Sequence, residues 1–428
     1  MSAVSPGSVQ GALGDAPLDV LIVGGGLAGA CAGALLQRAA LGHGRALSVA
    51  VLDHTLPKAP AADTPLDSRV SALSRASERI LTQSGAWERI AGPRIEPYER
   101  MRVWHHTVDP GSSGELTFDA ADVGEPNLGY IAENRLVQAA VVEAFERAGG
   151  RLILGQLAAL RVHDSHIEAE TSAGALGARL VVGADGARSA VREAIGLTIE
   201  SASYGQTAIV ANVSTERPHE HTAYQRFLGD GTLALLPLAD GTSSIVWSAD
   251  TPAAQALLAS SSSQFEAALR RQSADVLGEV RLASERASFA LTRLSAHRYT
   301  ARRCVLIGDA AHVVHPLAGQ GANLGLLDAA ALAEVVGDAV RAGEDPGADL
   351  PLRRYERWRK SETRLMATAI DAFDRFLAHG SGPLARVAQR GLGWVNRSRE
   401  AKRVFIARAL GLRGELPRAA RADAERSG

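Results

Sequence analysis

Short apolar runs of strand length recur along the chain, separated by glycine-rich turns and stretches with helical periodicity. The first, Asp19-Val-Leu-Ile-Val23, leads straight into Gly24-Gly-Gly-Leu-Ala-Gly29 and a helical stretch from Ala30 to Leu41. A second run, Leu47 to Leu52, ends in Asp53. Ala178 to Gly183 and Arg303 to Ile307 read as further buried strands, and a long amphipathic helix is predicted from Ala322 to Val340. Between them, runs at 208–213, 224–227, 232–238 and 243–248 are punctuated by Gly229-Asp-Gly231 and Ala239-Asp-Gly-Thr242, the signature of an antiparallel meander. A strand from Met101 to Trp104 is placed to join it, and from about Pro351 the pattern is helical.

Composition narrows the function classes. Of 428 residues, 46 are basic and 47 acidic, so no global field draws the chain to nucleic acid. No stretch approaches the ~20 apolar residues of a membrane-spanning helix. The start of the sequence lacks the basic and apolar regions of a signal peptide. Two cysteines, Cys31 and Cys304, argue against a disulfide scaffold or a Cys-rich zinc site and fit a reducing, cytoplasmic setting. No metal site is expected, and each cysteine reads as a packed core residue.

The first motif has a physical logic of its own. Strand, G-x-G-x-x-G turn, helix, strand and acid follow one another as in a Rossmann-like dinucleotide cradle. Gly24 permits the tight turn, Gly26 lets a pyrophosphate reach the backbone, and Gly29 lets the helix pack on the strand. Leu27 and Ala28 complete the turn, where the helix N-terminus offers unpaired N–H groups to phosphate. Asp53 is placed to accept hydrogen bonds from a ribose diol. The motif leaves open which dinucleotide is held.

Two later motifs narrow the choice. Asp185-Gly186 follows the strand ending at Gly183, and Gly308-Asp309 follows the strand ending at Ile307. Asp309 sits at a carboxyl edge, where such sheets bind ligands, and can take hydrogen bonds from a polyol chain. Pro316 and the glycines after it form a loop able to lie against an aromatic ring. The N–H groups of Gly319, Gln320, Gly321 and Ala322, with Asn323 next, open a helix whose partial positive charge suits an anionic ring edge.

The trio of G-x-G-x-x-G, D-G and G-D resembles the single-component flavoprotein aromatic hydroxylases, the para-hydroxybenzoate hydroxylase group. Arg69-Val-Ser-Ala-Leu73 and the string Gly308 to Gly325 are similar, more narrowly, to the ubiquinone-biosynthesis hydroxylases of the 2-polyprenylphenol type. Tyr98 to Trp104, Ile131 to Asn134, Leu235 to Leu238 and Ala409 to Leu412 fit the same resemblance, which spans residues 19 to 412.

The resemblance implies an α/β fold. A Rossmann-like FAD-binding domain is expected over 19–100, 130–200 and 300–345, and an antiparallel-sheet substrate domain over 101–129 and 201–299. C-terminal helices are expected over 346–415, with tails at 1–18 and 416–428. It implies FAD as cofactor and NAD(P)H as a transient reductant. The reaction is ring hydroxylation of a polyprenylphenol-type precursor with O2, through a flavin hydroperoxide. Arg69 is expected near the flavin and its phosphates, and Asp185 and Gly186 near the seam between flavin and reductant. His312 and His315 are candidates for catalysis, with plain packing the alternative. Arg188 and Arg192 read either as a solvated helix face or as a patch for a reductant's phosphate.

Residues 383–413 carry eight Lys or Arg and one acid, interleaved with apolar residues. Such a segment either is a solvated face or contacts a membrane surface or proteins of a ubiquinone-biosynthesis complex. The enzyme is therefore expected in the cytoplasm, with a peripheral position at the inner face of the membrane and a homo-oligomer left open. A flavin halogenase lacks support, because no two of the five tryptophans are two apart. A disulfide reductase lacks its close cysteine pair. An FAD-dependent epoxidase or reductase of another aromatic or isoprenoid molecule stays open, as does a non-catalytic prenyl-lipid carrier.

Overall fold

The first apolar run forms strand β1, Leu18–Val23, in a computed structural model that describes residues 17–41, 47–315, 320–373 and 414–422. Helix α1, Leu27–Leu41, and strand β2, Val49–Asp53, complete the first unit. In the main sheet β1 lies between β2 and Gly174–Gly183, all parallel; Cys304–Leu306 and Arg151–Leu154 extend it in the same sense. Its central strands are nearly continuous apolar runs, because helices cover one face and chain packs on the other. α1, rich in alanine and leucine, packs against the long helix Gln320–Arg341 and against Asn134–Arg147.

The meander closes into a nine-stranded sheet. Ile199–Thr215, Ser243–Asp250, Gly231–Pro237 and Thr222–Leu228 run side by side, with Arg100–His105 joining parallel to the last. Alternation sets its two faces. Ile245 and Trp247 face the helices Thr251–Ala259 and Ser262–Gln272, where Trp247 meets Phe265 with ring centroids 5.7 Å apart. The opposite face, with Ala234, Leu236 and Val246, packs toward a small sheet of β3 (Val70–Ser74), Gly129–Glu133 and Glu96–Tyr98. Two polar contacts stitch the segment before β3 to this face: Asn212 Nδ2 donates to Leu66 O at 2.8 Å and Ser244 Oγ to Ser68 O at 3.3 Å. The meander pattern predicted these strands; the two helices behind them were not predicted.

The end of the chain differs from the expected tail. Residues 414–422 dock on the long helix and on the helix Asp349–Phe373, which carries Trp358. Trp358 Nε1 donates to Glu415 O at 2.8 Å, Arg418 pairs with Asp338 at 2.8 Å, and Ala420 is fully buried. A buried alanine flanked by an ion pair holds this stretch, although its composition reads as a frayed end. The expected tail 1–18 also gives way at Leu18, which opens β1; residues 1–16, 423–428 and the basic segment 383–413 lie outside the described residues. Among the described residues no helix is long and apolar enough to cross a membrane.

Candidate cofactor cleft

The turn after β1 is shaped by three glycines with different tasks. Gly24 has φ +106°, and a Cβ there would lie 2.3 Å from Ala184 O, so only glycine fits. A Cβ on Gly29 would lie 1.9 Å from Gly24 O, because α1 presses its first turn against the loop. Gly26 is the reverse case: a Cβ there meets nothing within 4 Å. Its bare backbone forms part of the wall of a cleft of about 750 Å³. α1 starts at this wall without an acid in its first turn, so its free N–H groups and dipole favour an anion. At the end of β2, Asp53 Oδ2 accepts from Gly25 N at 2.5 Å and Oδ1 from Thr55 N at 3.2 Å.

The second and third motifs reach the same cleft. Asp185 Oδ2 accepts from Val191 N at 3.1 Å, at the start of the short helix Ala190–Ala194. Its other oxygen is buried and has no partner among the described residues. Gly186 and Arg188 continue that wall. Gly308-Asp309-Ala310 forms a single tight turn after Cys304–Leu306. Asp309 is open to the cleft, yet the concave walls strip water from its carboxyl. This desolvation raises its pKa above the ordinary value, with His312 partly opposing. Gly321 and Ala322, at the start of the long helix, form the remaining side. Gly24, Gly26, Leu27, Ala28, Asp53, Asp185, Gly186, Gly308, Asp309, Gly321 and Ala322 thus share one cleft.

Other residues singled out by sequence stand elsewhere. Gly29 lies behind the wall, as its packing role requires. Arg69 is exposed and not part of the cleft lining; its N–H donates to Asp67 Oδ1 at 2.9 Å, and its carbonyl accepts from Asn134 N at 3.0 Å. Gln320 opens the long helix outside the lining. The Asn323 side chain turns away and is buried. Its oxygen accepts from Ser74 N at 3.0 Å and Ser77 Oγ at 2.7 Å, and its Nδ2 donates to Ala72 O at 2.9 Å. It clamps the long helix to β3 and to helix α2, Arg75–Ser84. Pro316 and Gly319 lie outside the described residues. His312 and His315 are both buried and neither lines the cleft. His315 Nε2 is 3.3 Å from Gln206 Oε1, and its ring stands edge-on to Tyr204. Cys31 and Cys304 are core residues, and burial pushes both thiols up to about 12.

Arg192 departs from both readings offered for it. It is buried, with Nη1 donating to Ala310 O at 2.9 Å and Nη2 to Ala187 O at 2.7 Å, so it ties the second motif to the third. Ser71 and Asn134 lie in stretches that carry the resemblance but have no site role assigned from sequence, and Gln138 is not singled out by sequence at all. Asn134 and Gln138 stand one turn apart on a single helix face and line the cleft, with Ser71 Oγ 2.6 Å from Asn134 Oδ1. That spacing of two amides at a helix start was a visible signal.

Behind the third motif lies a buried ion cluster. Asp328 is fully buried; its Oδ2 accepts from Gly308 N at 3.0 Å and lies 2.6 Å from His312 Nε2, and its Oδ1 accepts from Arg359 Nε at 2.7 Å. Burial alone would raise the Asp328 pKa. His312 and Arg359 outweigh it and hold the carboxyl at about 2, below its ordinary 3.8. A folded pKa below the unfolded one stabilises above the unfolded value and loses that contribution as pH falls through the folded one. Urea midpoints should therefore drop between pH 3.8 and about 2, and Asp328→Asn should flatten that part of the profile. An unaltered acid limb in the variant would contradict the assignment.

Comparisons with known proteins follow the same lines. Residues 17–364 match the family described as FAD binding domain. Ubiquinone hydroxylase UbiL of Rhodospirillum rubrum is 39% identical over 417 residues, covering 96% of this chain and 94% of that protein. The 3-demethoxyubiquinol 3-hydroxylase of Escherichia coli is 36% identical over 401 residues, covering 92% of this chain and 99% of that protein. Among solved structures, p-nitrophenol 4-monooxygenase PnpA from Pseudomonas putida superposes with a TM-score of 0.71 at 20% identity, over 93% of this chain and 99% of that one. This last likeness is one of fold.

Proposed function

The chain belongs to the FAD-binding-domain family, among the ubiquinone-biosynthesis hydroxylases, and from that premise we propose that it hydroxylates the aromatic ring of a polyprenylphenol-type precursor. It is an FAD-dependent aromatic monooxygenase using O2, with NAD(P)H as the electron source typical of the family. The observation that carries the reading is the convergence of three motifs, far apart in sequence, on one cleft.

The residues present fit FAD. The glycine turn leaves bare backbone and a helix N-terminus where a pyrophosphate needs contact. Asp53 presents carboxylate oxygens at the end of β2 for a ribose diol. The buried, unpartnered oxygen of Asp185 is an acceptor awaiting a donor, and an acceptor left so in a finished site costs free energy. Asp309 offers a further carboxylate to the polyol chain. Bound FAD supplies the redox chemistry of oxygen insertion. The protein's own share is to hold the cofactor's ends and to present a partner face. The apolar face of the nine-stranded sheet, with Ala234, Leu236 and Val246, is packed on the small sheet and closes that side of the fold to water.

The decisive assay is oxygen consumption by FAD-loaded protein with NAD(P)H and a prenylated phenol. A hydroxylase consumes O2 and adds a single oxygen atom to the ring, seen by mass spectrometry. Oxygenation on the prenyl chain would favour the epoxidase reading, and binding without turnover the carrier.

On the same reading we propose a cytoplasmic enzyme that meets the inner face of a membrane, into which a polyprenyl chain would partition. The basic, apolar-interleaved composition of 383–413 supports contact there with anionic lipid or with proteins of the pathway. Deletion of 383–413 should weaken flotation with anionic vesicles while FAD content stays unchanged; equal flotation would return the segment to a solvated face.

A further inference from the structure

The turn that presents Asp309 is secured from outside the cleft. Gly308 adopts φ +57°, a left-handed conformation, and its N–H points back to Asp328 rather than into a strand ladder. Ala310 O is held by Arg192, Ile307 N donates to Gly183 O at 3.0 Å, and Ala311 O accepts from Ala296 N at 2.8 Å. Among the described residues, these tethers, all but the one through Asp328, come from the sheets or from the short helix Ala190–Ala194. The exception runs through Asp328 to Arg359, which sits on the C-terminal helix Asp349–Phe373, far from the cleft in sequence and absent from its lining. The same helix touches the motif strand again, with Tyr355 OH donating to Leu306 O at 3.2 Å. About two turns beyond Arg359, Met366 and Ala367 pack on Val314 and Leu324, which flank the loop between the third motif and the long helix.

We infer that Arg359 is a positioning residue for FAD: by orienting Asp328 it fixes the Gly308 N–H, and with it the angle at which Asp309 meets the cofactor's polyol chain. The inference rests on the FAD reading of the cleft. Its physical ground is the choice of a buried ion pair where apolar residues would serve stability equally well. Asp328 and Arg359 are 0% and 2% exposed, and their desolvation brings no net gain in stability by itself. What the pair supplies is direction. The carboxylate has one oxygen committed to Arg359, so the other is aimed at Gly308 N and His312. Freed from Arg359, Asp328 rotates toward His312 or takes up a proton, and the Gly308 N–H loses its fixed acceptor. Lysine does not replace this geometry, because its point charge lacks the planar guanidinium whose Nε–H meets the carboxylate.

The test separates holding the fold from setting the site. Apoprotein is prepared from the wild type, from Arg359→Lys and from the charge-free pair Arg359→Met with Asp328→Leu. FAD is titrated into each by fluorescence, and the thermal midpoint of each apo form is measured. Both variants should bind FAD about tenfold or more weakly, the scale of one charge-assisted hydrogen bond lost. The apo midpoint of Arg359→Lys should stay near the wild type, that of the double variant should fall because the buried Gly308 N–H and His312 lose their acceptor, and the visible absorption band of the bound flavin should shift in both. Unchanged affinity and an unshifted band in Arg359→Lys overturn the inference, also where the double variant fails to fold. So does a loss of affinity that merely tracks a fall in apo stability across the variants. A wild-type apoprotein that takes up no FAD is a different result, since it removes the reading of the cleft itself.

Discussion

Valine in place of Gly26 is expected to give a folded, monodisperse protein that is colourless. The added side chain meets no protein atom within 4 Å of its Cβ, so the empty fold gives it room. That same room is the part of the cleft where bare backbone must touch a pyrophosphate. Gly26 has no positive φ that valine would strain. Apo stability should change by less than about 1 kcal/mol, the scale of surface and helix-start substitutions. FAD affinity, read by fluorescence titration, should fall by about three orders of magnitude, because a branched side chain and a diphosphate compete for one volume. Normal flavin content in Gly26→Val would remove the phosphate site from this turn.

Gly29→Val should fail for the opposite reason. Its Cβ would overlap Gly24 O at 1.9 Å and crowd Ala184 Cβ at 2.9 Å. Neither neighbour is the far end of a flexible side chain. To admit the substitution, α1 must lift from β1, and with it the packing of α1 on the Gln320–Arg341 helix. Overpacking of this kind costs about 3 kcal/mol or more, and apoprotein as well as holoprotein should lose that stability in chemical denaturation. The two glycines stand three residues apart in one motif. The account therefore stands on a dissociation: Gly26→Val acts on the ligand, Gly29→Val on the fold. Equal apo stability for the two variants would contradict it.

That dissociation also marks what a sequence displays and what it conceals. The motif glycines are legible because a close approach of backbone leaves a fixed local spacing. The buried strands are legible because sheets covered on both sides demand unbroken apolar runs. The meander showed itself through its turns. The helices Thr251–Ala259 and Ser262–Gln272 did not, since what defines them is the sheet face they cover. The same limit holds in the site. Asp328 reads as one of three acids in an alanine-rich helix, and its partners lie 16, 20 and 31 positions away, where only the fold brings them in. Arg192 looks solvated in sequence because its acceptors are carbonyls, which no residue type announces. Asn323 lies in the glycine-rich string and still serves β3 and α2, because a helix start has an inner face as well as an outer one.

The central claim is that one cleft, assembled from three distant loops, holds FAD. It is tested most directly by titrating FAD into wild-type apoprotein and into Asp53→Ala, Asp185→Ala and Asp309→Ala, each altering one wall. The account predicts a single saturable FAD per wild-type chain, and weaker binding in every variant. Wild-type protein that takes up no flavin after reconstitution, or three variants that all bind as the wild type does, would contradict it.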